Sequence, residues 1–362
     1  MDSPQMDMPK FRRKKGSLSD ETSLDNQPAL AGTNQGTTPL TAMPGALPDD
    51  HQPATRQKLQ EIPAPGESVR DDVAASSTRA RFRTPEWFQI VWSNNKARVG
   101  IIMLAFFVLV AIFAPWIAPY DPQDSTFLGA QAPSWQHWLG TTQAGQDVFS
   151  QLIYGTRTSL IVGALAGLLA TFLALIIGMT AGYLQGWVDD VLSFFINLGL
   201  VIPALPLMIS IAAYAPVRGI TIIIFVIGLT GWAWGARFKR AQVISLRTRD
   251  YITAAKFAGD GPFRIIFKEV MPNMMSLVVL SYISAANGAI GAEAGLEFLG
   301  LGDPNTVSWG TMLYWANNGG ALVTGQWAWL IAPGLALAFL TTALVLINFG
   351  VDALSNPQLR EE

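Results

Sequence analysis

Six stretches of this chain contain no Asp, Glu, Lys or Arg, and they alternate with polar, charged segments. They are residues 99–120, 158–188, 191–217, 219–236, 270–292 and 304–351. A helix that crosses the hydrocarbon core of a bilayer needs about 20 apolar residues, so each of the first five stretches can hold one. In the sixth, residues 304–326 are rich in Asn, Gly and Trp and indicate an extramembrane loop, whereas residues 327–348 are apolar. The pattern therefore predicts six transmembrane helices in an all-α membrane protein.

The basic residues predict the orientation of these helices. Residues 1–98 carry 13 Lys and Arg, residues 237–268 carry 8, and Arg360 lies near the C-terminus. Only Arg157 and Arg218 fall on the opposite side. Because Lys and Arg accumulate in cytoplasmic loops, both termini are predicted to be cytoplasmic in a multi-pass protein of the cell membrane.

The same pattern divides the chain into segments. Residues 1–80 have many Pro and polar residues and no apolar pattern, which predicts a disordered cytoplasmic tail. An interfacial helix is expected at 81–98, followed by a first transmembrane helix at 99–119 and an external loop at 120–157. A five-helix core at 158–350, including a cytoplasmic loop at 237–272, precedes a cytoplasmic C-terminal tail at 351–362.

Composition supports a membrane protein and argues against catalysis. Half of the residues are hydrophobic, 14% are charged, and Cys is absent. The two His, at positions 51 and 137, lie far apart, so neither a thiolate nor an imidazole metal site is expected. There is no Gly-Lys dipeptide and hence no phosphate-binding loop of the Walker type. We therefore expect that the protein is not an enzyme, uses no cofactor and binds no nucleic acid. If ATP drives this protein, another chain binds the ATP.

The cytoplasmic loop has an unusual internal pattern. Two short helical segments are separated by Gly259-Asp-Gly-Pro262. Gly259 suits a helix C-terminus because Gly accepts the left-handed conformation, and Pro262 suits the first turn of a new helix. A loop this large has a role other than joining two spans.

Residues 251–273 resemble the EAA loop of permease subunits in bacterial ABC importers. That pattern is Glu-Ala-Ala, three residues, Gly, nine residues, an apolar residue, any residue, Leu-Pro. Matching positions hold Ala254, Ala255, Gly259 and Pro272, whereas Thr253 replaces Glu, Glu269 the apolar residue and Met271 the Leu. In the family this loop is a coupling helix that docks into a groove on the ATPase subunit. The resemblance therefore implies an ATPase-coupling site at Thr253, Ala254, Ala255, Gly259 and Pro272.

Residues 85–360 resemble one branch more specifically, the C-type permease subunits of the dipeptide/oligopeptide/nickel importer family. The similar motifs are Leu139–Ser150 with Tyr154–Leu160, Phe298–Gly302, Ser308–Gly310, Pro333-Gly334 and Asn348–Arg360. Departures at Thr142, Gln146, Gln151 and Glu297 lie in external segments and leave the substrate open. Peptide, oligosaccharide and nickel-chelate importers share this branch.

The resemblance implies a type I ABC importer permease fold and a complex. Its members would be a homologous permease subunit, two ATP-binding subunits and an extracytoplasmic substrate-binding protein, assembled in the lipid bilayer. Two other classes of protein would leave different marks in the sequence. An ion-coupled secondary transporter would need intramembrane ionisable residues or an inverted repeat, and a membrane enzyme would need a polar catalytic cluster.

Several residues inside the spans are candidates for the pathway or a gate. Pro203 and Pro206 interrupt the third span, which predicts either a simple kink or a gate. Glu293 lies four residues before Glu297 on one helix face, and we expect it to have a structural or gate-lining role. Glycines spaced by four residues, such as Gly163 and Gly167, predict close helix packing. Four tryptophans are expected in an interfacial belt, namely Trp309, Trp315, Trp327 and Trp329.

Overall fold

The computed structural model describes residues 92–355, with side chains through Asp352. The predicted tail at 1–80, most of the predicted interfacial helix at 81–98 and the end of the C-terminal tail lie outside these residues. The regular secondary structure of the described part is helical, with no β-strand, and residues 118–147 form an irregular segment with one isolated β-bridge between Thr141 and Asp147. Its main helices are α1 Asn95–Ile117, α2 Val148–Leu184, α3 Gly186–Val201, α4 Ala204–Ala213, α5 Ile220–Thr230, α6 Trp232–Leu246, α7 Asp250–Phe257, α8 Pro262–Arg264, a π-helix Ile265–Val270, α9 Met271–Asn273, α10 Met275–Phe298, α11 Trp309–Asn318 and α12 Trp327–Ser355.

The described residues contain five candidate spans and one bent helix pair, against six predicted spans. Five helices are long and apolar enough to cross a membrane: α1, α2, the joined α5–α6, α10 and α12. The α3–α4 pair, bent by 86°, makes a sixth if its two halves form one span. The predicted all-helical membrane fold is confirmed.

The ends of several helices differ from the charge-free stretches. Helix α2 begins at Val148, inside the predicted external loop, because the Asp147 carboxylate caps it by accepting from the Ser150 backbone N–H at 2.8 Å. Helix α6 runs to Leu246, so Arg237 and Arg240 lie on a helix and not in a loop. The absence of charge therefore marks the apolar part of a span but not where its helix ends.

Helix α2 is the centre of the packing, in contact with α1, α5, α6 and α10. Its glycines permit this. A Cβ at Gly167 would lie 2.7 Å from Ala286 Cα on α10, and one at Gly182 would lie 2.7 Å from the Arg240 carbonyl oxygen on α6. The prediction of close packing at these glycines is confirmed.

The predicted tryptophan belt is wrong for two of its four members. Trp309 is completely buried, where its indole Nε1–H donates to the Leu152 carbonyl at 3.0 Å, and Trp329 is also buried. Trp315 and Trp327 are exposed. The reason is that residues 309–318, expected in a loop, form helix α11, which packs back onto α10 and α12.

Candidate functional site

The segment between α6 and α10 has the predicted shape. Helix α7 ends at Phe257, and Gly259 follows with a φ of +85°, in the left-handed region. The Asp260 backbone N–H donates to the Ala255 carbonyl at 3.1 Å, which closes the helix end. Pro262 occupies the first position of α8. The two short helices and the break at 259–262 are confirmed; we call Asp250–Asn273 the loop segment.

One face of the loop segment is fixed to the ends of two spans. Ile252 of α7 and Ile265, Ile266 and Val270 of the π-helix are fully buried or nearly so. They pack in one cluster with Met179 of α2 and Val243 of α6. Because buried side chains hold the loop segment against these ends, α7 and the spans are mechanically connected.

The other face of the loop segment carries large apolar side chains that nothing in the described chain covers. Phe257 is 88% exposed, Phe263 66% and Phe267 43%. Several exposed aromatic side chains on a segment that also carries Lys and Arg are typical of a protein interaction surface.

The predicted coupling residues occupy different depths. Thr253, Ala254, Gly259 and Pro272 are exposed, and a Cβ at Gly259 would meet no atom within 4 Å. Ala255 is half-buried against the cluster behind α7. The exposed members, Ala254 among them, are therefore the positions from which a partner could be contacted directly.

The candidate gate prolines lie at a sharp bend. Pro203 is the N-cap residue of α4, and the chain turns by 86° between α3 and α4. Pro203 and Pro206 are both exposed. The start of α3 is held to α6 by a bidentate ion pair, in which Arg240 donates to the two oxygens of Asp189 at 2.6 and 2.7 Å. The bend therefore separates an anchored half-helix from a half-helix on the far side of Pro203.

Glu293 and Glu297 form a buried carboxylate pair near the C-terminal end of α10. Both are essentially inaccessible, with 0% and 1% of their surface exposed. Ser159 of α2 donates to Glu293 at 3.2 Å, and Ser308, the N-cap residue of α11, donates to Glu297. The pair therefore joins α2, α10 and α11, which supports the structural role expected for Glu293.

Two polar features were missed at the level of sequence. Lys239 of α6 is buried, and its Nζ donates to the Ser281 hydroxyl of α10 at 2.5 Å. His137 is buried beside Asp147, with 2.9 Å between Nδ1 and Oδ1. In the sequence, Lys239 is one of eight basic residues at 237–268 and His137 is far from the other histidine; only the fold shows their surroundings. Among the described residues, no group of three His, Asp or Glu could hold a metal ion.

The fold and site define a multi-pass helical membrane protein with a loop segment poised for a partner. Residues 174–361 match the family described as the binding-protein-dependent transport system inner membrane component. Residues 87–133 match the N-terminal transmembrane domain of oligopeptide transport permease C. The chain belongs to this family of transport permeases.

Individual relatives agree with this membership. The chain is 32% identical to the dipeptide transport system permease protein of Bacillus subtilis over 270 aligned residues. This alignment covers 74% of this chain and 83% of the relative. It is 33% identical over 222 residues to the oligopeptide transport system permease protein of the same organism, covering 61% and 72%. It is 32% identical over 285 residues to the di/tripeptide transport system permease protein of Pseudomonas aeruginosa, covering 76% and 92%.

Proposed function

We propose that this chain is the transmembrane permease subunit of an ATP-driven importer for peptides. It forms the translocation pathway together with a homologous permease subunit. Two separate ATP-binding subunits drive it, and an extracytoplasmic binding protein delivers the substrate. The peptide substrate is supported by the relatives, which are named as permeases for dipeptides, di/tripeptides and oligopeptides. The chain itself catalyses no reaction and holds no cofactor; ATP is bound by its partners.

The loop segment carries this proposal. Its uncovered face, with Ala254, Phe257 and Gly259, is the docking surface for an ATP-binding subunit. Its buried face is packed on the ends of α2 and α6. Movement of the ATP-binding subunits is therefore transmitted to two spans, and ATP binding shifts the population between inward- and outward-facing arrangements.

The orientation that this requires is supported by the basic residues. The loop segment and both termini lie in the cytoplasm, and α11 lies outside. The exposed Lys and Arg near the loop segment include Arg249, Lys256, Arg264 and Lys268. The permease is a multi-pass protein of the cell membrane.

Uptake into lipid vesicles tests the proposal. The complex of both permeases and both ATP-binding subunits is reconstituted, and labelled peptide is supplied on its binding protein. We expect uptake that requires ATP hydrolysis and persists when all ion gradients are dissipated. Uptake driven by an ion gradient without ATP would instead indicate a secondary transporter. Transport of a nickel chelate or an oligosaccharide, with no peptide uptake, would support the proposed importer architecture but show that the substrate is not a peptide.

A further inference from the structure

A cavity of about 450 Å³ lies between α2, α4, the α5–α6 pair and α10. Its walls are formed mostly by Ala, Gly and apolar side chains, and no charged residue lines it. The polar side-chain groups in its wall are the hydroxyls of Thr171 on α2 and of Ser281 and Ser284 on α10, together with the indole of Trp234 on α6. This volume lies within the range of about 300–1,000 Å³ usual for small-molecule sites.

The Lys239 ammonium lies directly behind the wall of this cavity. Its Nζ donates to the Ser281 hydroxyl at 2.5 Å, and Ser281 faces the cavity. Gly235 also lines the cavity, and Nζ lies 3.4 Å from the point that a Cβ at Gly235 would occupy. Because Gly235 has no side chain, only the Ser281 hydroxyl and a glycine stand between the positive charge and the cavity.

No carboxylate compensates this charge in the described part of the chain. The ion pairs found there join His137 to Asp147, Arg240 to Asp189 and Arg264 to Asp260. Lys239 is only 1% exposed. A buried cation without a counter-charge is strongly unfavourable, and ionisable groups inside spans face protein partners, water or a transported substrate.

A second group in the wall also lacks a partner. Thr171 is only 5% exposed, and its buried hydroxyl makes no hydrogen bond. Buried polar atoms are almost always paired. An unpaired hydroxyl and an uncompensated ammonium at one cavity are suited to bind a negatively charged group that also accepts hydrogen bonds.

We propose that this cavity receives the C-terminal carboxylate of the transported peptide, held by the Lys239 ammonium together with the Ser281 and Thr171 hydroxyls. This rests on the proposed function, because a peptide is the substrate that carries such a carboxylate. The small side chains of the wall leave room for varied residues next to the carboxylate. Recognition would therefore depend on the terminal charge and not on the sequence of the peptide.

The test compares a peptide with a free C-terminal carboxylate against the same peptide with a C-terminal amide. Each is loaded to saturation on the binding protein, with loading measured separately, and single-turnover uptake by the reconstituted complex is recorded. We expect the wild-type complex to import the free peptide at least about tenfold faster, the range of one charge-assisted hydrogen bond. Lys239→Met should reduce this ratio to near one, and Lys239→Arg should retain most of it.

Two further variants keep the proposal falsifiable. Ser281→Asp leaves Lys239 in place but supplies a counter-charge, so it should abolish the preference as Lys239→Met does. Arg237→Met, which alters an exposed basic residue on the same helix α6, is the matched control and should leave the ratio unchanged.

The outcomes separate this site from the proposed function. If the wild-type complex imports neither peptide, the proposed function fails. If it imports both equally, or if Lys239→Met keeps the preference, the carboxylate site is wrong. If Lys239→Met weakens copurification of the two permeases and leaves the ratio unchanged, a carboxylate of the second permease pairs with Lys239, and the proposal is overturned.

Discussion

At the scale of single residues, the buried carboxylates of α10 show how polar groups join helices inside an apolar protein. Glu297 accepts a hydrogen bond from Ser308, whose hydroxyl also accepts from the Thr311 backbone N–H at 3.1 Å and so caps α11. Glu293 lies one turn earlier and accepts from Ser159 of α2. No Lys or Arg forms an ion pair with either carboxylate among the described residues. The pair therefore joins the helices by hydrogen bonds and not by ion pairs. Two ionised carboxylates at this distance would repel each other.

This predicts that Glu297 tolerates the loss of its charge but not the loss of the oxygen that accepts the hydrogen bond from Ser308. Glu297→Gln keeps an acceptor for Ser308 and removes any repulsion from Glu293, so stability should change by less than about 1 kcal/mol. Glu297→Ala leaves the Ser308 hydroxyl without its acceptor and opens a void, which should cost about 1–3 kcal/mol. Thermal unfolding of the purified complex measures both. Equal destabilisation by Gln and Ala would mean that the charge itself is required.

A contact seen only in the fold makes Lys256 a poor control for the effect of charge in the loop segment. Lys256 lies in the basic stretch at 237–268, where a lysine side chain is normally solvated. In the fold its Nζ lies 5.4 Å from the centre of the Tyr183 ring at the end of α2, a cation–π geometry. Lys268, which is exposed and makes no such contact, is the better control for charge in the loop segment.

At the scale of elements, the loop segment combines a buried apolar face with an uncovered one. Ala254 lies on the uncovered side of α7, whereas Ala255 faces the cluster around Ile252. A bulky residue at Ala255 would therefore disturb the packing of the loop segment itself. At Ala254 it would meet only the partner.

We therefore predict that Ala254→Arg uncouples the importer. Its side chain would prevent α7 from seating in a partner groove, and peptide uptake should fall by at least about tenfold, as expected for a disrupted interface centre. Stimulation of ATP hydrolysis by loaded binding protein should be lost, while membrane insertion stays normal. The matched control is Ala254→Ser, which keeps a small side chain and should retain activity. Full stimulation in Ala254→Arg would place the coupling surface elsewhere.

Gly259 tests the same element by its conformation. With φ at +85°, Gly259→Arg adds bulk and also strain of about 1–2 kcal/mol, since side chains disfavour the left-handed region. Gly259→Ala carries the strain without the bulk, because a Cβ at this position meets no atom within 4 Å, so it separates the two effects. We expect Ala to keep most of the stimulated ATPase rate and Arg to abolish it. If both variants lose the rate equally, strain and not contact with a partner is responsible.

At the scale of the whole molecule, the two faces of the membrane can be distinguished by labelling. The chain contains no Cys, so single cysteines report their position without background. Thr248, beyond the end of α6, and Asn318, at the end of α11, are both exposed. In intact cells, an impermeant maleimide should label Asn318→Cys and not Thr248→Cys. The reverse pattern would overturn the predicted orientation.

The N-terminal region provides a second prediction at this scale. Residues 1–80 lack any apolar burial pattern, so we expect their deletion to leave assembly and peptide uptake within about twofold of the full chain. Copurification with the partner subunits and vesicle uptake measure this. A deletion that assembles poorly would show that the tail binds a partner.

The sequence by itself determined the spans, the family and the break in the loop segment. Long apolar runs, the distribution of Lys and Arg, and the Gly259–Pro262 pattern are local features, and each local feature has a direct physical meaning in a bilayer or at a helix end. Residue spacing at Gly163 and Gly167 also sufficed to predict close packing, because small side chains act through the helix on which they lie.

Only the tertiary structure decided which polar groups are buried and what they contact. Ser159 meets Glu293, and Lys239 meets Ser281, across 134 and 42 residues of chain. Trp309 had the sequence surroundings of an interfacial residue, but the return of α11 onto the bundle buries it. Burial and charge compensation depend on the neighbours that packing brings together, and those neighbours are distant in sequence, so no local pattern contains them.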